Sequence, residues 1–456
     1  MRNLLVAGLL TTAPLPVHAA AKMPVAAAAS SVEQWTLPNQ LSVVYVPDHK
    51  APVVTVQVFY HAGGKDEPAD KRGIAHMFEH MMFKGSRHVR PEEHARFIDA
   101  VGGNENAFTE DDVTAYHDTI PPSALEFTLK LEAERMRGLE LTQKTIDAER
   151  QVVIEELRVS LENNPISKAL DTVMHLAFKV HPYRQEAIGE KKMLETVTIA
   201  DCRKFYDTYY QPNNATLIVA GDIDEATVKK LVDASFGVLP AAAPPPRPSK
   251  ALVEPPQTAL RESTLTMPVQ LPVIIGAYHI PAADSADIVP LEVLQRILSG
   301  GESSRMYERL VRKDHSAVFA GGQLMAHEDP GLFLTFAAFL PGGDPKAVRA
   351  ALEDEVAQLV QRAVLPKELT KAKNQLASEA ARRHERVADL ATQVGFDTYV
   401  SHDPLRSYSV MAKYDAVTAK DVQRVARKYL VPTNESIVVL QPPMTPPAGT
   451  TVGGAK

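Results

Sequence analysis

Cysteine is nearly absent from this chain: Cys202 is the only one in 456 residues. A disulfide within the chain is excluded, so stability has to come from packed cores. Cys202 is also a poor candidate nucleophile. It falls in a helix-like stretch, Ala200-Asp201-Cys202-Arg203-Lys204-Phe205, where a buried structural thiol is the ordinary case. Lys and Arg are nowhere gathered into a stripe, and a net charge of -7 is modest for the length, which gives no reason to expect a nucleic-acid partner. No run reaches the ~20 apolar residues that a helical membrane span requires.

What is present is ordinary globular composition, 45% hydrophobic and 23% charged, with length enough for two or more cores. At the N-terminus, Arg2, the apolar Leu4 to Leu10 and the small-x-small Val17-His18-Ala19 read as a signal peptide over residues 1–20, which implies export. The alternative is an uncleaved amphipathic tail.

The chain repeats itself. Val197-Thr198, Asp201, Tyr209, Pro212, Asn214 and Val219 recur as Val417-Thr418, Asp421, Tyr429, Pro432, Asn434 and Val439, each pair offset by 220 positions. Both copies read as an N-capped amphipathic helix, a Pro-Asn turn and an apolar strand, Ala215 to Ala220 in one and Ser436 to Leu440 in the other. Two homologous domains are therefore expected, residues 32–240 and 258–441, joined by a Pro- and Ala-rich linker over 241–257. A disordered tail is expected over 442–456. Strand-like sequence (Leu41 to Tyr60; Val273 to His279) precedes long helical stretches in both halves. These are Pro122 to Gly138 and Ile146 to Leu161 in the first, then Pro345 to Arg362 and Lys367 to Leu390 in the second. The expected class is α+β, with helices packed on one face of a mainly antiparallel sheet in each domain.

The segment that carries chemistry is Gly73-Ile74-Ala75-His76-Met77-Phe78-Glu79-His80-Met81-Met82-Phe83. On a helix His76 and His80 lie one turn apart on one face, so two imidazole nitrogens can approach one ion at roughly 2.0–2.1 Å. Glu79 shares that face and can reach a water on the ion, as a general base does. A catalytic zinc needs a third protein ligand and one open position. Glu149 and Glu156 are two helical turns apart and share a face, whereas Glu155 points roughly 100° away from Glu156. Glu156 is read as the ligand, and Glu149 as a carboxylate that orients a histidine or the water. Alone, a charged helix of this kind is more often a solvated face; the conjunction of both segments is what points to a metal.

The order His-x-x-Glu-His is the inverzincin motif. With it, Lys84-Gly85, Asn106-Ala107-Phe108-Thr109, Glu149 to Glu156, His181-Pro182-Tyr183 and Tyr209 to Thr216 make the chain resemble the pitrilysin and insulin-degrading enzyme family. Its short bacterial members, related to the mitochondrial processing peptidase, are the most similar. The resemblance covers nearly the whole mature chain. It implies two domains forming a clamshell around a cavity, and one Zn2+ per chain on His76, His80 and Glu156. It also implies a substrate-binding edge strand at Asn106, Ala107, Phe108 and Thr109, and a periplasmic location. The expected activity is that of a metalloendopeptidase acting on short or unfolded peptides.

The second half has no His-x-x-Glu-His; its corresponding helix, from near Ile288, is apolar. In the family the second half often supplies an arginine and a tyrosine seven residues apart. Here the matching stretch puts Val318 at the tyrosine position and Val311, or the adjacent Arg312, at the arginine position. A zinc-less homologous subunit carrying the Arg-Tyr pair is therefore an expected partner; a homodimer in which Tyr307 or His315 serves is the alternative. The rival functions are a non-catalytic peptide-binding homologue, acting as chaperone or scaffold, and a zinc hydrolase with a non-peptide substrate.

Overall fold

The computed structural model describes residues 32–247 and 252–443. The expected signal peptide and all but two residues of the expected tail lie outside the described residues.

Six strands form the first sheet: β1 (Glu33–Thr36), β2 (Ser42–Pro47), β3 (Val54–Tyr60), β4 (Asn104–Thr109), β5 (Thr114–Ile120) and β6 (Ala215–Gly221), in the order β1-β2-β6-β3-β5-β4. Five form the second: β7 (Arg261–Thr266), β8 (Val273–His279), β9 (Phe319–Met325), β10 (Leu332–Ala338) and β11 (Glu435–Gln441), in the order β7-β11-β8-β10-β9. In each sheet one pair is parallel, β2 with β6 and β7 with β11, and the rest are antiparallel. Once β1 is set aside, the two orders correspond strand for strand.

The repeat extends to individual contacts. Thr198 caps its helix by accepting from the Asp201 amide at 3.2 Å, and Thr418 does the same with Asp421 at 3.2 Å. The Asn214 side-chain amide donates to the carbonyls of Tyr209 (2.9 Å) and His61 (3.1 Å). That of Asn434 donates to Tyr429 (2.8 Å) and His279 (2.9 Å). The conserved spacing thus encodes a helix start and a helix-to-strand clamp, each of which satisfies backbone groups that the turn would otherwise leave unpaired.

The helices that place the site are α1 (Ile74–Met81), α2 (Leu125–Gly138), α3 (Gln143–Leu157), α4 (Pro165–Ala177), α5 (Ile288–Ser299), α6 (Pro366–Arg383) and α7 (Val387–Tyr399). Each sheet carries helices of its own half on one face, as the strand-then-helix order implies. The opposite face is closed by a helix from the other half. Helix α7 lies on the first sheet, where Leu390 and Val394 pack with Val44, Phe59 and Ile218. Helix α4 lies on the second, its Ala169 and Val173 packing with Ile275, Leu334 and Val438. This exchange explains why β3 and β6 are buried along their whole length. A strand covered on both faces loses the polar alternation of a half-exposed one.

One expected element is corrected. The stretch from Lys367 to Leu390 is two helices, α6 and α7, with a break at His384–Arg386. No Gly or Pro marks it in the sequence. The break turns the chain so that α7 can cross to the first half.

Candidate metal centre

Helix α1 begins at a tight contact. Gly73 is left-handed (φ 94°), and a Cβ there would come within 2.8 Å of the Ile188 carbonyl oxygen and the Leu194 side chain, so glycine is required. Having no side chain, it cannot cap the helix. Glu67 does so from a distance: its buried carboxyl group accepts from the Gly73 amide (3.0 Å) and the Ala75 amide (2.8 Å), satisfying two amides of the first turn, although burial pushes its pKa up to about 8. Ile74, Met77, Phe78 and Met81 are buried in the first-half core, with Phe78 against Phe205, Tyr206 and Tyr210. His76, Glu79 and His80 remain on the face towards α3 and β4.

His76 Nε2 lies 3.8 Å from Glu156 Oε1, and His80 Nε2 lies 3.5 Å from Glu156 Oε2. In a tetrahedral zinc site with bonds of roughly 2.0–2.2 Å, neighbouring ligand atoms sit about 3.3–3.6 Å apart, so the three donors match such a site with little movement. One ligand atom from each lies within 4.8 Å of the others. Two imidazoles and one carboxylate suit zinc and leave one position open, as a hydrolytic site needs.

Glu149 stands behind this set. One of its oxygens is 3.4 Å from His80 Nδ1 and the other is 3.3 Å from Lys84 Nζ. Lys84 was missed in the sequence. Its signal was its position, since His76, His80 and Lys84 follow one another at intervals of four. Burial, and then the neighbouring His80, hold His76 down at about 4, so it is neutral at pH 7, as a metal ligand must be. The contact with Glu149 is the main cause that raises His80 above its ordinary value. Burial raises Glu79, opposed by the hydrogen bond it accepts from the Thr109 hydroxyl at 2.5 Å.

Strand β4, which brings Thr109 to Glu79, is the outermost strand and, among the described residues, pairs only with β5. Its residues face in different directions. Thr109 meets α1, and Ala107 packs against the core on the same side. Phe108 points the other way, stacked on Phe396 of α7 (ring centroids 5.5 Å apart) and edge-on to Phe59. Its side chain belongs to the joint between the halves, which leaves its backbone on the strand edge. The Asn106 side chain accepts from the Ala107 amide at 2.8 Å.

Among the described residues a second group of ligating side chains converges, the buried His94, Asp118 and Glu132. A cation already occupies that place. The Arg135 guanidinium binds both oxygens of Glu132, through Nε at 2.9 Å and also through Nη2, and stacks over Phe83 and Tyr116. In the second half, α5 follows β8 as α1 follows β3. Arg296 on α5 pairs with Glu379 on α6 where the first half brings histidines towards a glutamate. Val318 lies half-exposed just before β9, and Arg312 is held by Glu308 (2.8 Å) and Glu302 (3.0 Å).

The family model for insulinase (peptidase family M16) matches residues 42–191, and that for the peptidase M16 inactive domain matches residues 196–376. The chain is 31% identical over 440 residues to "Zinc protease PqqE" of Helicobacter pylori, covering 95% of this chain and 97% of that one. It is 26% identical over 419 residues to the Arabidopsis thaliana protein named "Probable mitochondrial-processing peptidase subunit beta, mitochondrial", covering 89% and 78%. The crystal structure of a protease from Helicobacter pylori superposes with a TM-score of 0.86 at 30% identity, over 90% of this chain and 99% of that one. The first half of the periplasmic protease PqqL from Escherichia coli shares the fold, with a TM-score of 0.75 at 20% identity over 90% and 92%.

Proposed function

The chain belongs to the insulinase peptidase family M16, and from that premise we propose that it is a zinc metalloendopeptidase hydrolysing short or unfolded peptides. The observation that carries the reading is the convergence of His76, His80 and Glu156 beside Glu79, at the free edge of a strand. When bound, zinc supplies a Lewis acid for the peptide carbonyl and makes a water acidic near pH 7.

The chain's own residues do the rest. Glu79, raised by burial, takes a proton from the attacking water and returns it to the leaving amine. Thr109 fixes the carboxylate that does so, and Glu149 holds the His80 ring in its orientation. The free edge of β4 pairs with the backbone of an extended peptide, which binds many sequences alike. One zinc per chain is the expected stoichiometry, since Arg135 fills the second cluster.

Cleavage of a quenched fluorescent peptide library, read with the zinc content, tests this. Activity that disappears on chelation, and in a Glu79→Gln variant that keeps its zinc, is the expected result. Turnover undiminished in both controls would overturn it, and peptide binding by a chain that holds no zinc and turns nothing over would favour the scaffold reading.

Two further parts of the proposal have separate tests. Val318 carries no hydroxyl and Arg312 is engaged at the surface, so we place the transition-state donors on a homologous subunit. Full turnover by the pure chain removes that partner. Export rests on the pattern over residues 1–20 and a periplasmic destination on the family resemblance; an intact N-terminus on protein from the cytoplasm would contradict export.

A further inference from the structure

The turn that follows β4, Glu110-Asp111-Asp112, is gripped from two sides. From the first half, the amides of Gly64 and Lys65 donate to the carbonyls of Glu110 (3.1 Å) and Asp111 (2.9 Å). The approach is so close that a Cβ on Gly63 would lie 2.4 Å from the Glu110 oxygen. From the second half comes the β9–β10 connection, whose Glu328 amide donates to Asp112 Oδ2 at 2.9 Å. Lys65, almost wholly buried, joins the two sides by pairing with Asp112 (2.8 Å) and with Glu328. His61 Nε2 holds the same Glu328 carboxylate at 2.6 Å, and His327 lies against Asp111 and Asp112 at 3.7 and 3.6 Å. Tyr183 OH closes the cluster, donating to Asp112 (2.5 Å) and accepting from the Asp329 amide (3.1 Å).

These contacts have a direct route to the chemistry. Asp112 is three residues from Thr109, whose hydroxyl holds Glu79. Among the described residues no strand pairs with the outer side of β4, so its far end is held by β5, by the side-chain contacts of Phe108 and Thr109, and by this turn. We propose that Glu328 is a positioning residue: through Lys65 and Asp112 it locks the turn after β4 and so holds Thr109 on Glu79, making the metal-free half a working part of the site. The inference rests on the peptidase reading for its kinetic consequence, though not for its structural one. Charge balance supports it. Burial alone would raise Glu328, yet His61 and Lys65 hold it down at about 2. Asp112 is likewise held low despite burial, by His327 and Lys65.

The test uses Glu328→Gln in the full chain, with His61→Ala as a second way of loosening the same carboxylate. Hydrogen exchange of residues 104–113 should quicken by about 10-fold in both, while β2 and β6 keep their wild-type rates. For peptide turnover, kcat should fall on the order of 10-fold with KM and zinc content little changed. In a Thr109→Val background, adding Glu328→Gln should lower kcat no further, although it still lowers the melting temperature. Exchange that is unchanged at 104–113, or that rises equally throughout the first half, overturns the proposal. So do kcat losses that multiply in the double variant. A wild-type chain that binds zinc yet is silent towards every peptide points to the donors of the partner subunit, and one without zinc counts against the peptidase reading. In both cases the exchange result still decides this proposal.

Discussion

Three carboxylates near one histidine pair have three separate surroundings, and the proposed function gives each a separate duty. Glu156 faces both Nε2 atoms and is partly exposed; Glu149 is buried behind His80; Glu79 sits on Thr109. Substitutions should separate them. Glu79→Gln should bind zinc normally and lose roughly 10²–10⁴ in kcat, the range for removing a general base. Glu149→Gln should instead weaken zinc affinity by about 10–100-fold, because His80 loses the partner that orients it; competition with a chromogenic chelator measures this. The pairing of His76 with His80 was legible in the sequence, since helical spacing alone places them together. The distinct orientations of Asn106 to Thr109 were not, because four consecutive strand residues carry no mark of which face meets α1 and which meets α7.

At the scale of the element, the metal helix depends on a cap that sequence spacing could not reveal. A capping side chain is normally adjacent to the first turn; Glu67 is six residues before Gly73 and arrives by way of the loop. Glu67→Ala should cost about 1–2 kcal/mol of stability, seen as a lower melting temperature, and should reduce zinc retention, since the same turn carries His76. The Thr198–Asp201 and Thr418–Asp421 caps were legible because their partners are local. The break between α6 and α7 was invisible for the opposite reason: helix-forming residues run through it, and only the need to cover the distant sheet interrupts the helix.

The whole molecule is two sheets that each lend the other a helix. The repeat could be read from the 220-residue offset and the α+β class from strand-like runs that precede helical ones, whereas the exchange could not, since nothing local tells α4 or α7 which sheet it will join. Residues 32–240 expressed alone should therefore aggregate, with Val44, Phe59 and Ile218 bared, and co-expression with residues 241–443 should restore solubility. Acid should loosen the same joint. Glu328 is held at about 2 against an unfolded value near ~4.3. Its contribution is thus complete above about pH 4.5 and lost as the pH falls through 2, worth on the order of 2 kcal/mol after screening. Calorimetry should show wild-type stability falling across that window more steeply than in Glu328→Gln.

The exchange of helices also sets a schedule. Helix α7 leaves the ribosome roughly 165 residues after β6 is complete, which at about 5–20 residues per second is on the order of ten seconds or more. During that interval the first sheet has no cover for one face and cannot finish folding. A nascent chain of this design stays open until nearly its last helix has been made, a condition that favours any machinery needing to thread it while still unfolded.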